Sequence, residues 1–204
     1  SKHLWYHKFQ HLYALIAYTS YSLFWIFIKD FIILFSKDDF NTKKDLKYHL
    51  SFWIQKAFYV TYILIIPMLY SKQAWPIIII AFLSMHLCQS LFLLITFFMT
   101  HHVEKTEYPK TDENGYIKSS WLMNQIKSSN DMHPFSETAN FILGGFNNHI
   151  AHHLFPHYHH IHYPKLNRIL YPILIENHII PNQTTYYGGI LSHLKLLKRM
   201  SIKP

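Results

Sequence analysis

The chain is poor in cysteine, glycine and acidic side chains. Its 204 residues hold one cysteine, five glycines and 11 Asp+Glu against 19 Lys+Arg. A single cysteine, Cys88, excludes an internal disulfide and a multi-thiolate metal site, and it fits a reducing compartment. The scarcity of acid leaves a formal net charge of +8. The basic residues are dispersed and no nucleic-acid-binding motif accompanies them, so a surface facing anionic lipid explains the charge better than nucleic acid does. Internal repeats and low-complexity tracts are absent as well. No secretory signal opens the chain: Ser1 is not methionine, and Lys2, His3 and His7 precede the first apolar stretch. This start leads us to expect a processed product or a chain whose beginning is missing.

Half of the residues are apolar and 18% are aromatic, and they are sharply segregated. Three greasy stretches precede a polar, histidine-rich second half, a pattern that predicts an integral membrane protein with a large aqueous part. The first, 12–35, is interrupted by Lys29-Asp30 and carries Tyr13, Tyr18, Tyr21 and Trp25. Charge facing lipid is costly, so an interfacial or half-inserted helix is expected there, with a spanning helix as the alternative. The second, 52–70, has Lys56 near its start, where it can snorkel. The third, 75–99, contains no charged residue over 25 positions, more than the roughly 20 needed to cross the hydrocarbon. The linker Ser71-Lys72-Gln73-Ala74 makes the second and third a transmembrane hairpin. Residues 100–204, long and basic, are then expected on the cytoplasmic side.

Within that segment, Ser120 to Ile126 reads as helical, Ser136 as an N-cap, and Lys165–Asn177 and Ile190–Met200 as amphipathic helices. Gly144-Gly145 permits a sharp bend or close packing, and Pro156 ends or kinks the helix before it.

Seven of the 17 histidines fall between His149 and His162. The core of the run is His149-Ile150-Ala151-His152-His153, an H-x-x-H-H pattern. At about 100° per residue, His152 and His153 straddle the direction of His149 by roughly 60° and 40°, so three imidazoles on one helix face can meet one metal ion. His101 and His102 close the third apolar stretch, either as interfacial anchors or as ligands reaching the same ion from a neighbouring helix. His157, His159, His160 and His162 follow Pro156 and read as surface or supporting residues. His7 and His11 share a face, yet as ligands they are the weaker reading. His86, inside the third stretch, is expected to hydrogen-bond within the bundle or line a channel. Glu104 and Glu107 fit additional ligation and surface ion pairs equally well.

The stretch Gly144-Gly145-Phe146-Asn147-Asn148-His149-Ile150-Ala151-His152-His153-Leu154-Phe155-Pro156, followed by Ile161-His162-Tyr163-Pro164, resembles the last histidine box of the membrane fatty acid desaturases. The similarity is greatest to the bacterial acyl-CoA, or linoleoyl-CoA-like, branch. His101 to Pro109 resembles the segment after that family's last transmembrane helix, where the first histidine matches an additional iron ligand. Lys8-Phe9-Gln10-His11 and Lys29-Asp30-Phe31 also resemble the family, so the similarity covers essentially the whole chain.

The resemblance implies an all-α, integral membrane helical bundle, multi-pass, with a cytoplasmic histidine-rich helical cap. It implies two iron ions in a non-haem diiron centre, with His101, His149, His152 and His153 as metal ligands. O₂ is the implied co-substrate, a fatty acyl-CoA or acyl-lipid the substrate, and cytochrome b5 or a ferredoxin-type protein the electron donor. Three departures bear on this. Many members of that branch carry glutamine at the first position of the last box, where this chain has His149, as other desaturase branches do, so that position leaves the regiochemistry open. Phe97 stands where some animal members carry an asparagine. The family has two earlier boxes, H-x-x-x-H and H-x-x-H-H; no second H-x-x-H-H precedes His101, and the His7–His11 pair lies where the family has already passed both boxes, so the chain is expected to be the C-terminal portion of a desaturase and inactive alone. The alternatives are a hydroxylase or other monooxygenase of the same histidine-box superfamily, or a non-catalytic membrane metal-binding fragment.

Overall fold

The structure, a computed structural model, describes residues 4–36 and 44–202. Ser1, Lys2 and His3, and part of the link between the first two apolar stretches, lie outside the described residues. The protein is all-α: the described strands are two-residue pieces, β1 (Asp131–Met132) and β2 (Gln183–Thr184), paired in parallel. The chain divides into two compact units, one of Leu15–Phe92 and the other of Ser1–Ala14 with Leu93–Pro204.

The first unit holds the apolar helices. A 3-10 turn (Trp5–Phe9) and the first residues of α1 (Gln10–Thr19) belong to the other unit; α1 enters this one at Leu15, and a break at Ser20 bends the path by 68° into α2 (Tyr21–Phe35). Helix α3 (Leu46–Tyr70) begins six residues before the apolar run at Phe52, because Asp45 caps it by accepting the Tyr48 N–H at 2.9 Å. Helix α4 runs Trp75–His101, and its first two-thirds belong to this unit. Among the described residues, α3 and α4 are long and apolar enough to cross a membrane, and the bent α1–α2 pair makes a third if it counts as one span. None of the apolar window of α3 is buried within the protein. That unburied apolar surface suits hydrocarbon rather than water.

Several polar residues of this unit pair across its helices. A π turn at Trp25–Lys29 loosens α2, and Lys56 Nζ donates to the Ile26 carbonyl (2.6 Å) and to Asp30 Oδ2 (2.5 Å). Of the charges that interrupt the first two apolar stretches, Asp30 and Lys56 thus form an ion pair, and Lys29 Nζ lies over the Trp25 ring, 3.4 Å from its centre. His86 is fully buried, with Nδ1 2.7 Å from Ser22 Oγ and Nε2 2.7 Å from Tyr59 OH. Ser90 Oγ donates to Ser22 Oγ and accepts the Ser22 N–H. His86 therefore ties α2, α3 and α4 together through hydrogen bonds.

In the second unit, short helices surround the end of α4. Helix α5 (Trp121–Lys127) is capped by Ser120 and α6 (Glu137–Ile142) by Ser136, each hydroxyl accepting an N–H three residues on. Helix α7 (His149–Leu154) stops before Pro156, followed by a 3-10 turn (His160–His162), α8 (Tyr163–Glu176) and α9 (Tyr186–Met200). Helix α9 starts four residues earlier than its apolar periodicity, because Thr185 accepts the Gly188 N–H at 3.0 Å. Two small cores hold the unit: Met99, Val103, Met132 and Leu143, and Ile126, Ile150 and Leu174.

Candidate metal centre

The last turn of α4 and helix α7 bring three histidines together. His149 Nε2 lies 2.8 Å, and His153 Nε2 3.4 Å, from His101 Nε2. The ligand atoms of His101, His149 and His153 all fall within 4.8 Å of one another, the only such group of three metal-binding side chains among the described residues. Imidazole nitrogens around one ion at about 2.1 Å are roughly 3 Å apart, so the donor set fits a metal.

Tautomers support the fit. His101 Nδ1 lies 2.9 Å from the Ser128 carbonyl, which only accepts, so Nδ1 carries the proton and Nε2 presents its lone pair to the cluster. Burial, then the positive charges available to His101, His153 and His152, push the His149 imidazole down to about 2. Burial and the neighbouring His101 and His152 push His153 down to about 4. Both rings are consequently neutral at physiological pH, the state a metal requires. His149 is 5% exposed, and its Nδ1 is buried with no partner in the protein. An apolar wall backs the ring: Phe146 stacks on His149, and Phe97 meets Phe146 edge-on at 4.7 Å.

His152 stands apart from the three. Its ring centre is 5.3 Å from that of His149, and Nδ1 faces Tyr163 OH at 3.4 Å. It lines a cavity of about 410 Å³ together with Gly145, Phe146, Pro156, His160 and Tyr163. The separation follows helix geometry: four residues bring His153 within about 40° of His149, whereas His152 lies about 60° to the other side.

His102 turns away and stacks on Tyr108, with Nδ1 3.0 Å from the phenol oxygen. Burial, with His101 and His193 nearby, holds its imidazole below the usual range. His7 accepts the Leu4 N–H, and neither it nor His11 belongs to the cluster. His157 and His159 are exposed, while His160 packs against Gly145. Glu107 pairs with Lys127 at 3.2 Å on the surface.

Sequence reasoning missed the polar framework beneath α7. Asp131, fully buried, accepts the Ile150 N–H at 2.8 Å, the Tyr171 hydroxyl at 2.9 Å and Asn167 Nδ2 at 3.4 Å. Burial raises its carboxyl to about 7 against the opposing pull of these hydrogen bonds. Asn140, Asn147, Asn148 and Asn167, all buried, extend the framework. The available signal was an unusual density of asparagine around the histidine box.

Comparison with known proteins adds relatives to this geometry. The fatty acid desaturase family profile matches residues 1–185. The sn-1 linoleoyl-lipid 6-desaturase of Arthrospira platensis is 31% identical over 98% of this chain and 55% of its own length. The acyl-lipid (8-3)-desaturase of Mortierella alpina is 30% identical, over 95% and 43% respectively. The acyl-lipid (8-3)-desaturase of Physcomitrium patens is 28% identical, over 97% and 42%. The chain spans about half the length of the curated relatives it matches. No solved structure matches it significantly.

Proposed function

The chain belongs to the fatty acid desaturase family, and from that premise we propose that it supplies the C-terminal share of a non-haem diiron centre that desaturates fatty acyl chains. The observation carrying this reading is the convergence of His101, His149 and His153 from two separate helices. In a two-metal centre these three serve one iron, and His152, turned toward Tyr163, serves the other. The remaining ligands come from outside the 204 residues, so this chain alone is inactive.

Iron bound here supplies the activation of O₂ that removes two hydrogens from neighbouring acyl carbons. The balance is one O₂, two electrons and two protons consumed, and one alkene and two waters formed. Electrons come from an external donor, cytochrome b5 or a ferredoxin. The chain's own residues do the rest. Ser128 fixes the His101 tautomer. Phe97 and Phe146 keep water from the back of His149. The acyl carrier is a lipid or CoA, the former being the kind named for the relatives. In this reading α3 and α4 cross the membrane as a hairpin, and the basic charge of the C-terminal segment favours the cytoplasmic side for it.

The test is product analysis. Membranes from cells expressing the complete coding region are given a reduced donor and O₂, and their acyl chains are examined by mass spectrometry. A new double bond, lost in His149→Ala, supports the reading. A hydroxylated chain, or metal binding without donor-dependent O₂ uptake, overturns it.

A further inference from the structure

The histidine helix α7 has only six residues and begins at Asn148, whose side chain makes no capping hydrogen bond. A helix start leaves several N–H groups in need of acceptors, and Asn148, the natural N-cap, is committed elsewhere. Its Nδ2 donates to Asn140 Oδ1 and its Oδ1 accepts from Asn167 Nδ2, both at 2.8 Å. The acceptor comes instead from β1, 19 positions away. Asp131 Oδ1 takes the Ile150 N–H at 2.8 Å. Oδ2 is anchored on α8 by Tyr171 and Asn167. Its own backbone is held by the Asn182 carbonyl, which accepts the Asp131 N–H at 3.0 Å. Two of the three clustered histidines ride on α7, so the rotation of this one short helix sets where His149 and His153 point.

We propose that Asp131, held by Tyr171 and Asn167, is a positioning residue that fixes the rotation of the histidine helix and thereby brings His149 and His153 onto His101. This rests on the metal reading above. Asp131 touches no metal; it acts through the backbone of the residues that do. Stabilising the fold alone would not require a buried carboxylate that joins α8, through Tyr171 and Asn167, to the first turn of α7, through the Ile150 N–H, since an apolar residue would fill the same space without a desolvation cost.

Two near-isosteric variants separate positioning from bulk. Asp131→Asn keeps an oxygen for Ile150 and turns its amide to the Tyr171 oxygen; Asp131→Leu keeps the volume and removes every acceptor. The full chain, purified metal-free in detergent, is read two ways: hydrogen exchange over residues 149–154, and titration with Co²⁺ followed by its absorption spectrum. Asp131→Asn should keep near wild-type protection and affinity. Asp131→Leu should lose protection in that segment and bind Co²⁺ about tenfold or more weakly, with an altered spectrum. A folded Asp131→Leu with wild-type protection, affinity and spectrum overturns the proposal. If Asp131→Leu does not fold, Tyr171→Phe decides: faster exchange in 149–154 and severalfold weaker Co²⁺ binding support it, and no change in either overturns it. A wild-type chain that binds no Co²⁺ would sink the metal reading, while the exchange data would still decide the role of Asp131.

Discussion

Replacing Gly145 by alanine should damage the protein much more than replacing its neighbour Gly144. Both glycines have positive φ, +58° at Gly144 and +81° at Gly145, and alanine there costs about 1–2 kcal/mol for the left-handed backbone alone. Space separates the two positions. A Cβ added at Gly144 meets nothing within 4 Å, whereas one at Gly145 would lie 2.4 Å from His160 Cβ and 3.0 Å from its Cγ. A Cβ cannot swing aside as a side-chain tip does, so the turn carrying His160 must shift. That turn is tied down, because the His160 carbonyl accepts from Asn140 Nδ2 at 3.1 Å. Overpacking of this kind costs about 1–3 kcal/mol more. The strain falls next to the metal centre, since the Gly145 carbonyl accepts the Asn148 N–H just before α7. Thermal unfolding in detergent should rank wild type above Gly144→Ala and Gly144→Ala above Gly145→Ala. The last gap should be about 2–4 °C per kcal/mol for a chain of this size. A Gly145→Ala protein as stable as Gly144→Ala would refute the reasoning.

Two further outcomes follow from charge. In the metal-free protein, His149 and His153 are held down to about 2 and about 4, against roughly 6.5 for an unfolded histidine. The unfolded chain therefore binds more protons below about pH 6.5, and stability falls as pH drops from there, through about 4 for His153 and further for His149. Asp131, raised to about 7, works in the opposite direction, its contribution being lost as pH rises through that value. Denaturant midpoints between pH 4.5 and 7.5 should show a shallower acid limb in His153→Ala than in wild type, and parallel limbs would contradict the assignment. Separately, Lys56→Met should leave the half-buried Asp30 carboxylate without its ion partner and cost about 1.5–3 kcal/mol, while Lys56→Met with Asp30→Leu recovers most of the loss. Detergent-stability midpoints check this, and a double variant no better than the single would count against it.

The long elements were legible because hydropathy is a sum over many residues. The apolar runs at 52–70 and 75–99 lie within α3 and α4. Their ends were less legible, since a single cap such as Asp45 or Thr185 moves a helix start by several positions. The histidine pattern showed where a metal centre would be sought, but helical arithmetic predicts His149, His152 and His153 at one ion, whereas the group within reach of one point is His101, His149 and His153. Asp131 was not legible. Nothing local distinguishes a lone aspartate in a polar loop from a solvated one; its role arises from contacts with Ile150, Asn167 and Tyr171, 19 to 40 positions away. The same holds for Lys56 and Asp30, which looked like separate interruptions of apolar runs until packing paired them.

The most direct test is metal content and affinity of the purified 204-residue chain, with alanine at each of the four histidines in turn. The structure predicts at most one tightly held iron per chain, lost in His101→Ala, His149→Ala and His153→Ala and retained in His152→Ala. Two stoichiometric irons on the isolated chain, or a His152→Ala variant as impaired as the other three, would contradict the account.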